Sequence, residues 1–162
     1  MFSADLINEA TDLLERARQN HLTLVTAESC TGGLIAACLT EIAGASDVVD
    51  CGFVTYSNAA KNRMLGVSLE LISEYGAVSE PVARAMAEGA LEHSGADISI
   101  AVTGIAGPGG GTKLKPVGLV HMAAAKRGQK TLHQKHLFGD IGRTAIRLAT
   151  VAQAFKLINQ LI

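Results

Sequence analysis

Three small nucleophile-type residues, Ser29, Cys30 and Thr31, stand side by side in "TAESCTGGLIAACL", followed at once by Gly32 and Gly33. A hydroxyl or thiol on a tight strand-to-helix turn lies beside free backbone N–H groups and the positive end of a helix dipole. That setting favours attack on a carbonyl carbon and stabilisation of the oxyanion that forms. It equally suits a cap: Ser29 can satisfy an orphan donor of a helix beginning near Gly32, and Thr31 competes for the same task. Two hydroxyls for one cap leave one spare. Cys30 is a rival nucleophile at the same dipole.

A serine nucleophile needs a base, and a desolvated lysine is the main alternative to histidine. In "FVTYSNAAK", Tyr56 closes an apolar strand and Lys61 lies one helical turn later. The pair would face Ser29 if the two strands are neighbours. Without burial to lower its pKa, Lys61 is solvated surface. The ordering departs from the G-x-S-x-G elbow and offers no Ser, Asp, His set, so a hydrolase triad is not indicated.

The third chemical segment is "VTGIAGPGGGTK". It has neither the G-x-G-x-x-G nor the G-x-x-x-x-G-K-[ST] spacing, which excludes the standard dinucleotide and Walker loops. Thr103 and Gly104, followed by Gly107, Gly109, Gly110 and Gly111, can instead turn several N–H groups toward an anion. A mobile surface loop without a ligand fits the same residues.

These segments need a scaffold with strand ends at one edge. Leu6, Leu13, Leu14 and Ala17 predict an amphipathic helix over 4–20 with Ser3 as N-cap. "HLTLVTA" reads as a buried strand, and Leu34, Ile35, Cys38, Leu39 and Ile42 mark a helix ending near Gly44. "DVVDCGFVTYS" reads as a second strand. Two short helices closed by glycine follow, then a helix from Ser79 to about His93 with proline in its first turn. "ADISIAVTG" is a third strand, "VGLVHMAAA" and "KTLHQKHL" a hairpin, and residues 142–161 a last helix. The alternation predicts a single α/β domain over 1–162, a three-layer α/β/α sandwich whose late hairpin makes the sheet mixed. His133 and His136, the one close histidine pair, fall on opposite faces of a strand, so no metal site is expected.

Composition narrows the partners. The 162 residues are 48% hydrophobic and 18% charged, with net charge −1 from 14 basic and 15 acidic residues. No basic stripe for a phosphate backbone is present, and four phenylalanines, two tyrosines and no tryptophan make a poor base-stacking platform, so nucleic acid is not expected. No apolar run approaches the roughly 18 residues of a membrane span, and the N-terminus lacks signal-peptide character. With three unpaired-looking cysteines, the expectation is a cytoplasmic protein acting on a small molecule.

Taken in order, "AESCTGGLIA", "GFVTYSNAAK", "GAVSEPVARAMAEGA", "VTGIAGPGGGT", "KPVGLVHMA" and the distal Arg143 and Arg147 resemble the C-terminal domain family of the competence/damage-inducible protein CinA, also known as stand-alone nicotinamide-nucleotide amidases. The resemblance implies hydrolysis of the carboxamide of nicotinamide mononucleotide to nicotinate mononucleotide and ammonia, without metal or cofactor, in recycling pyridine nucleotide for NAD synthesis. It makes Ser29 the nucleophile, Lys61 its base and Tyr56 a hydrogen-bonding partner, with the backbone at Cys30 and Thr31 holding the oxyanion. The substrate phosphate would then fall to the glycine loop, to the helix N-terminus after Gly32 and Gly33, and to Arg143. Here the chain reads "FGDIGR", with Asp140 displaced from the Gly-Asp-Arg run of many relatives. The family also implies homo-oligomers, and the N-terminal domain of longer relatives, with any activity there, would be absent. The alternative is a non-catalytic pyridine-nucleotide-binding module linked to competence or DNA damage.

Overall fold

A computed structural model describes residues 2–162. Helix α1 (Ala4–Gln19) starts at Ser3, whose hydroxyl accepts from the Leu6 N–H, and buries Leu6, Ala10, Leu13, Leu14 and Ala17. Five strands follow in one sheet of order β2-β1-β3-β4-β5: β1 (Leu24–Glu28), β2 (Val49–Val54), β3 (Ile98–Gly104), β4 (Leu119–Lys126) and β5 (Leu132–Leu137). β1 pairs in parallel with β2 on one side and β3 on the other, whereas β4 and β5 are antiparallel. Being central, β1 is buried throughout, as its near-continuous apolar run requires.

The chain leaves β1 through α2 (Leu34–Thr40) to reach β2, then passes back beyond β1 through α3 (Asn58–Leu65), α4 (Leu69–Tyr75) and α5 (Glu80–Glu92) to reach β3. These crossovers run in opposite directions along the sheet and so place their helices on opposite faces. Leu24, Ile98, Ile100 and Met122 join α1, α2 and the last helix, α6 (Arg143–Ile158), in one core. Val25, Ala27, Ala101 and Ala123 join α3 to α5 in the other. The result is a single α/β domain with a five-stranded mixed sheet covered on both faces. Because β1, β2 and β3 run parallel, their carboxyl ends share an edge, and the strand order reverses there. Ligands of open α/β sheets bind at such a switch point.

Helix α2 is shorter than its apolar stripe suggests. It ends at Thr40, and Ile42 N–H donates to Leu39 O before a 3-10 turn at Ala45–Asp47. Ser79 precedes α5 as expected, yet its hydroxyl donates back to Gly76 O and does not cap the helix. No helix among the described residues is long and apolar enough to cross a membrane.

One glycine sets the depth at which α3 docks. Gly89 in α5 is buried against the end of α3, and an added Cβ would overlap the Leu65 carbonyl. Alanine is the better helix former, so propensity alone predicts stabilisation. Overpacking reverses the sign. Gly89→Ala is expected to destabilise the protein by about 1–3 kcal/mol in urea unfolding; an unchanged or raised midpoint would show that this approach constrains nothing.

Candidate functional site

Side chains alternate along β1, so Glu28 and Ser29 leave its carboxyl end toward opposite faces. Ser29 follows Val25 and Ala27 to the α3 side, and Lys61 comes up from α3 to meet it: Lys61 Nζ donates to Ser29 Oγ at 2.9 Å. The amine also donates to Thr55 O at 2.9 Å, which holds it at the strand edge. Lys61 is 1% exposed, and among the described residues it has no salt-bridge partner. Burial therefore pushes its pKa below the ordinary lysine range, while nearby Cys30 opposes this weakly. A neutral amine can keep one N–H on Thr55 O and turn its lone pair to the Ser29 hydroxyl. The local sequence explains the placement: Ser57 accepts from Ala60 N–H and starts α3, so Lys61 falls one turn in, on the buried face.

Cys30 is a poor rival. Its thiol is buried, and desolvation, reinforced by the Glu28 charge, pushes its pKa up to about 12. Little thiolate exists near neutrality.

The hydroxyls of the turn divide differently from the sequence expectation. Ser29 caps nothing, and Thr31 Oγ1 does not cap either but donates to Glu28 Oε2 at 2.6 Å. The cap of α2 is Glu28 itself. Its carboxylate accepts from the N–H groups of Gly33, Ile35 and Ala36 at 3.0, 3.1 and 2.8 Å. Gly32 N–H is used as well, donating to Ser29 O. At the helix start after Gly32 and Gly33, a carboxylate of this chain thus already holds the N–H groups of Gly33, Ile35 and Ala36. The N–H groups of Cys30 and Thr31 donate to no backbone carbonyl or carboxylate among the described residues.

Arg143, at the start of α6, joins the second and third chemical segments. Its guanidinium donates to Tyr56 Oη at 2.8 Å and to Gly107 O at 2.9 Å. Tyr56 is 59% exposed, and its hydroxyl bonds neither Ser29 nor Lys61. Thr103 Oγ1 is spent on Ala77 O at 2.8 Å, and Gly104 packs flush against β4. Gly109 and Gly110 are exposed in the loop beyond, with φ +84° at Gly110. Arg147 lies one turn after Arg143 and donates twice to Thr31 O, at 3.2 and 2.6 Å.

Two contributors, Thr55 and Glu28, were given no part in the sequence reading, and Arg147 was named without a role. Thr55 acts through a carbonyl, which no side-chain pattern signals. Arg147 acts through the fold of α6 onto the turn. Glu28 had a signal: a carboxylate closing an otherwise apolar strand just before a helix start. His133 meets His121, not His136, with ring nitrogens 3.0 Å apart across the hairpin. A groove of about 510 Å³ beside β2, reaching Ile42, Val49 and Cys51, is lined by none of Ser29, Lys61, Tyr56 and Arg143.

Fold and site together define an α/β domain with a buried lysine on a serine at the carboxyl edge of parallel strands. The CinA C-terminal domain matches residues 7–162, and the chain belongs to that family. It is 58% identical over 120 residues to a CinA-like protein of Akkermansia muciniphila, covering 74% of this chain and 29% of that protein. With a CinA-like protein of Geobacter sulfurreducens the identity is 51% over 143 residues, covering 88% and 34%. The chain thus spans about a third of the curated relatives it matches. The crystal structure of the competence/damage inducible protein CihA from Agrobacterium tumefaciens superposes with a TM-score of 0.97 at 53% identity, covering 99% of this chain and 98% of that one. A CinA superfamily protein from Escherichia coli gives 0.92 at 35% identity, covering 100% and 94%.

Proposed function

We propose that this protein is a nicotinamide-nucleotide amidase, converting nicotinamide mononucleotide and water to nicotinate mononucleotide and ammonia. The family includes such amidases. The observation that carries the reading is the 2.9 Å contact between a fully buried, unpaired Lys61 and Ser29. Ser29 Oγ attacks the carboxamide carbon while its proton passes to the neutral Lys61 amine. The oxyanion is met by the Cys30 and Thr31 N–H groups, which lie beside Ser29 and have no oxygen partner among the described residues. Collapse of this intermediate breaks the C–N bond, and Lys61 returns the proton to the leaving nitrogen. Water, deprotonated in turn by Lys61, then cleaves the ester and frees Ser29.

The phosphate of the substrate is assigned to Arg143 and the glycine loop beside it, where a guanidinium suits a bidentate contact. Tyr56, held by Arg143, orients that end of the site. Direct measurement of ammonia from purified protein and nicotinamide mononucleotide tests the reading. Steady release with stoichiometric nicotinate mononucleotide is expected. Saturable binding without product over long incubation would instead identify a binding module.

A further inference from the structure

Glu28 is a fully buried carboxylate with no cation against it among the described residues. Four donors satisfy it: the Thr31 hydroxyl and the N–H groups of Gly33, Ile35 and Ala36. A buried charge of this kind is tolerable only when so completely hydrogen-bonded, and the amino end of α2 supplies part of the compensation. Such a charge is an unusual way to start a helix of seven residues. Any of the common neutral caps would start the helix as well.

The surrounding bonds show what else it does. Ser29 N–H donates to Val102 O and Gly32 N–H to Ser29 O, so the turn is anchored to β3 and closed upon itself. Arg147 holds the Thr31 carbonyl from α6, and Glu28 holds the Thr31 hydroxyl and everything that follows from beneath. Of the successive N–H groups from Ser29 to Ala36, those of Cys30, Thr31 and Leu34 have no oxygen partner among the described residues, and those of Cys30 and Thr31 lie beside Ser29, against the Cys30 thiol.

We propose that Glu28 is the positioning residue for the nucleophile: its carboxylate holds the Gly33, Ile35 and Ala36 N–H groups and pins Thr31, which sets the Cys30 and Thr31 N–H groups as the anion hole beside Ser29. This rests on the amidase reading for its substrate, but its chemistry concerns Ser29 itself.

The test uses the full chain and a fluorophosphonate probe, which phosphonylates a serine only when it is activated and its oxyanion held. Serine attack forms the Oγ–P bond and expels fluoride, with the proton taken by Lys61. Labelling of Ser29 is followed by mass spectrometry in wild type, Glu28→Gln, Thr31→Val and Ser29→Ala, with circular dichroism to give the folded fraction. Glutamine keeps the volume but replaces one acceptor oxygen by an NH2 facing N–H donors, so the turn must shift. A displacement near 1 Å is worth on the order of 10²-fold, the slowing expected for the Glu28→Gln rate constant per folded molecule. Hydrolysis should lose kcat similarly with KM within about threefold, as for an interaction made only in the transition state. Thr31→Val, which removes one of the donors to Glu28, should slow labelling about tenfold, less than the roughly 10²- to 10³-fold lost when an anion-hole donor is removed outright, because the N–H groups are shifted and not deleted.

A merely structural role lowers the labelled amplitude and leaves the rate constant unchanged; that result for Glu28→Gln overturns the proposal. If Glu28→Gln does not fold, Thr31→Val decides, and wild-type labelling by it overturns the proposal too. So does a wild type that labels no faster than Ser29→Ala. Normal labelling differences without turnover of nicotinamide mononucleotide would remove the amidase reading and leave the role of Glu28 standing.

Discussion

Ser29→Ala is expected to abolish ammonia release, lowering kcat on the order of 10⁴-fold or more, with nicotinamide mononucleotide still bound. Removal of a serine nucleophile has effects of this size because the groups around it act as a unit. The side chain is small, half-buried and bonded to Lys61 alone, so its loss leaves the fold intact. Cys30→Ala provides the contrast. With its thiol pushed up to about 12 by burial, Cys30 supplies no attacking thiolate, and the variant should stay within about threefold of wild type. Acyl-enzyme trapped on Ser29 by rapid quench, and seen by mass spectrometry, completes the measurement. Full activity of Ser29→Ala, or loss of activity in Cys30→Ala with Ser29→Ala unaffected, would transfer the nucleophile to another group.

Lys61→Met is the second large effect: kcat falls about 10²- to 10⁴-fold, the range for removing a general base. Combined with Ser29→Ala it should add almost nothing, since both changes disable one step. Methionine fills the space of the lysine stem, and the variant should remain folded. Two pH measurements carry the sign of the argument. Burial lowers the Lys61 pKa from 10.5, so the neutral base is available at lower pH than for a free lysine, and the acid limb of kcat/KM lies below 10.5. Stability follows by linkage. Between the depressed folded value and the unfolded value of 10.5, the unfolded chain holds more protons at this site, so wild-type stability rises with pH across that window. Below the window both states are protonated and this contribution no longer varies. Urea unfolding of wild type and Lys61→Met across that range isolates the difference, because every other titrating group is common to both. Parallel pH profiles would mean that Lys61 is not desolvated.

The two variants bear on a site that was unevenly legible in the residues. Ser29 and Lys61 could be named as candidates from their places on a strand-to-helix turn and in the next helical turn, but a cap and a solvated cation fitted the same residues, and their roles came from the resemblance. Arg143 was also named, and it lies where Tyr56 and the glycine loop meet. At the start of α2, which the resemblance offered as an anion cradle, a carboxylate five to eight residues upstream holds the N–H groups of Gly33, Ile35 and Ala36. Local spacing does not show where a side chain ends after the chain turns.

By itself, the sequence determined the element types and the mixed α/β class, since hydrophobic periodicity and turn chemistry act over a few residues and survive in any arrangement of neighbours; the family was legible only through the ordered motifs that carry the resemblance. The tertiary structure alone decided that β1 lies between β2 and β3, bringing residues 32 apart into the Ser29–Lys61 contact. It alone decided that Lys61 is buried, and burial is what changes a solvated cation into a base. It also decided that Glu28 points beneath α2 and Ser29 above α3. Each of these depends on packing between segments distant in the chain, where desolvation and hydrogen-bond partners are set by what comes to lie alongside.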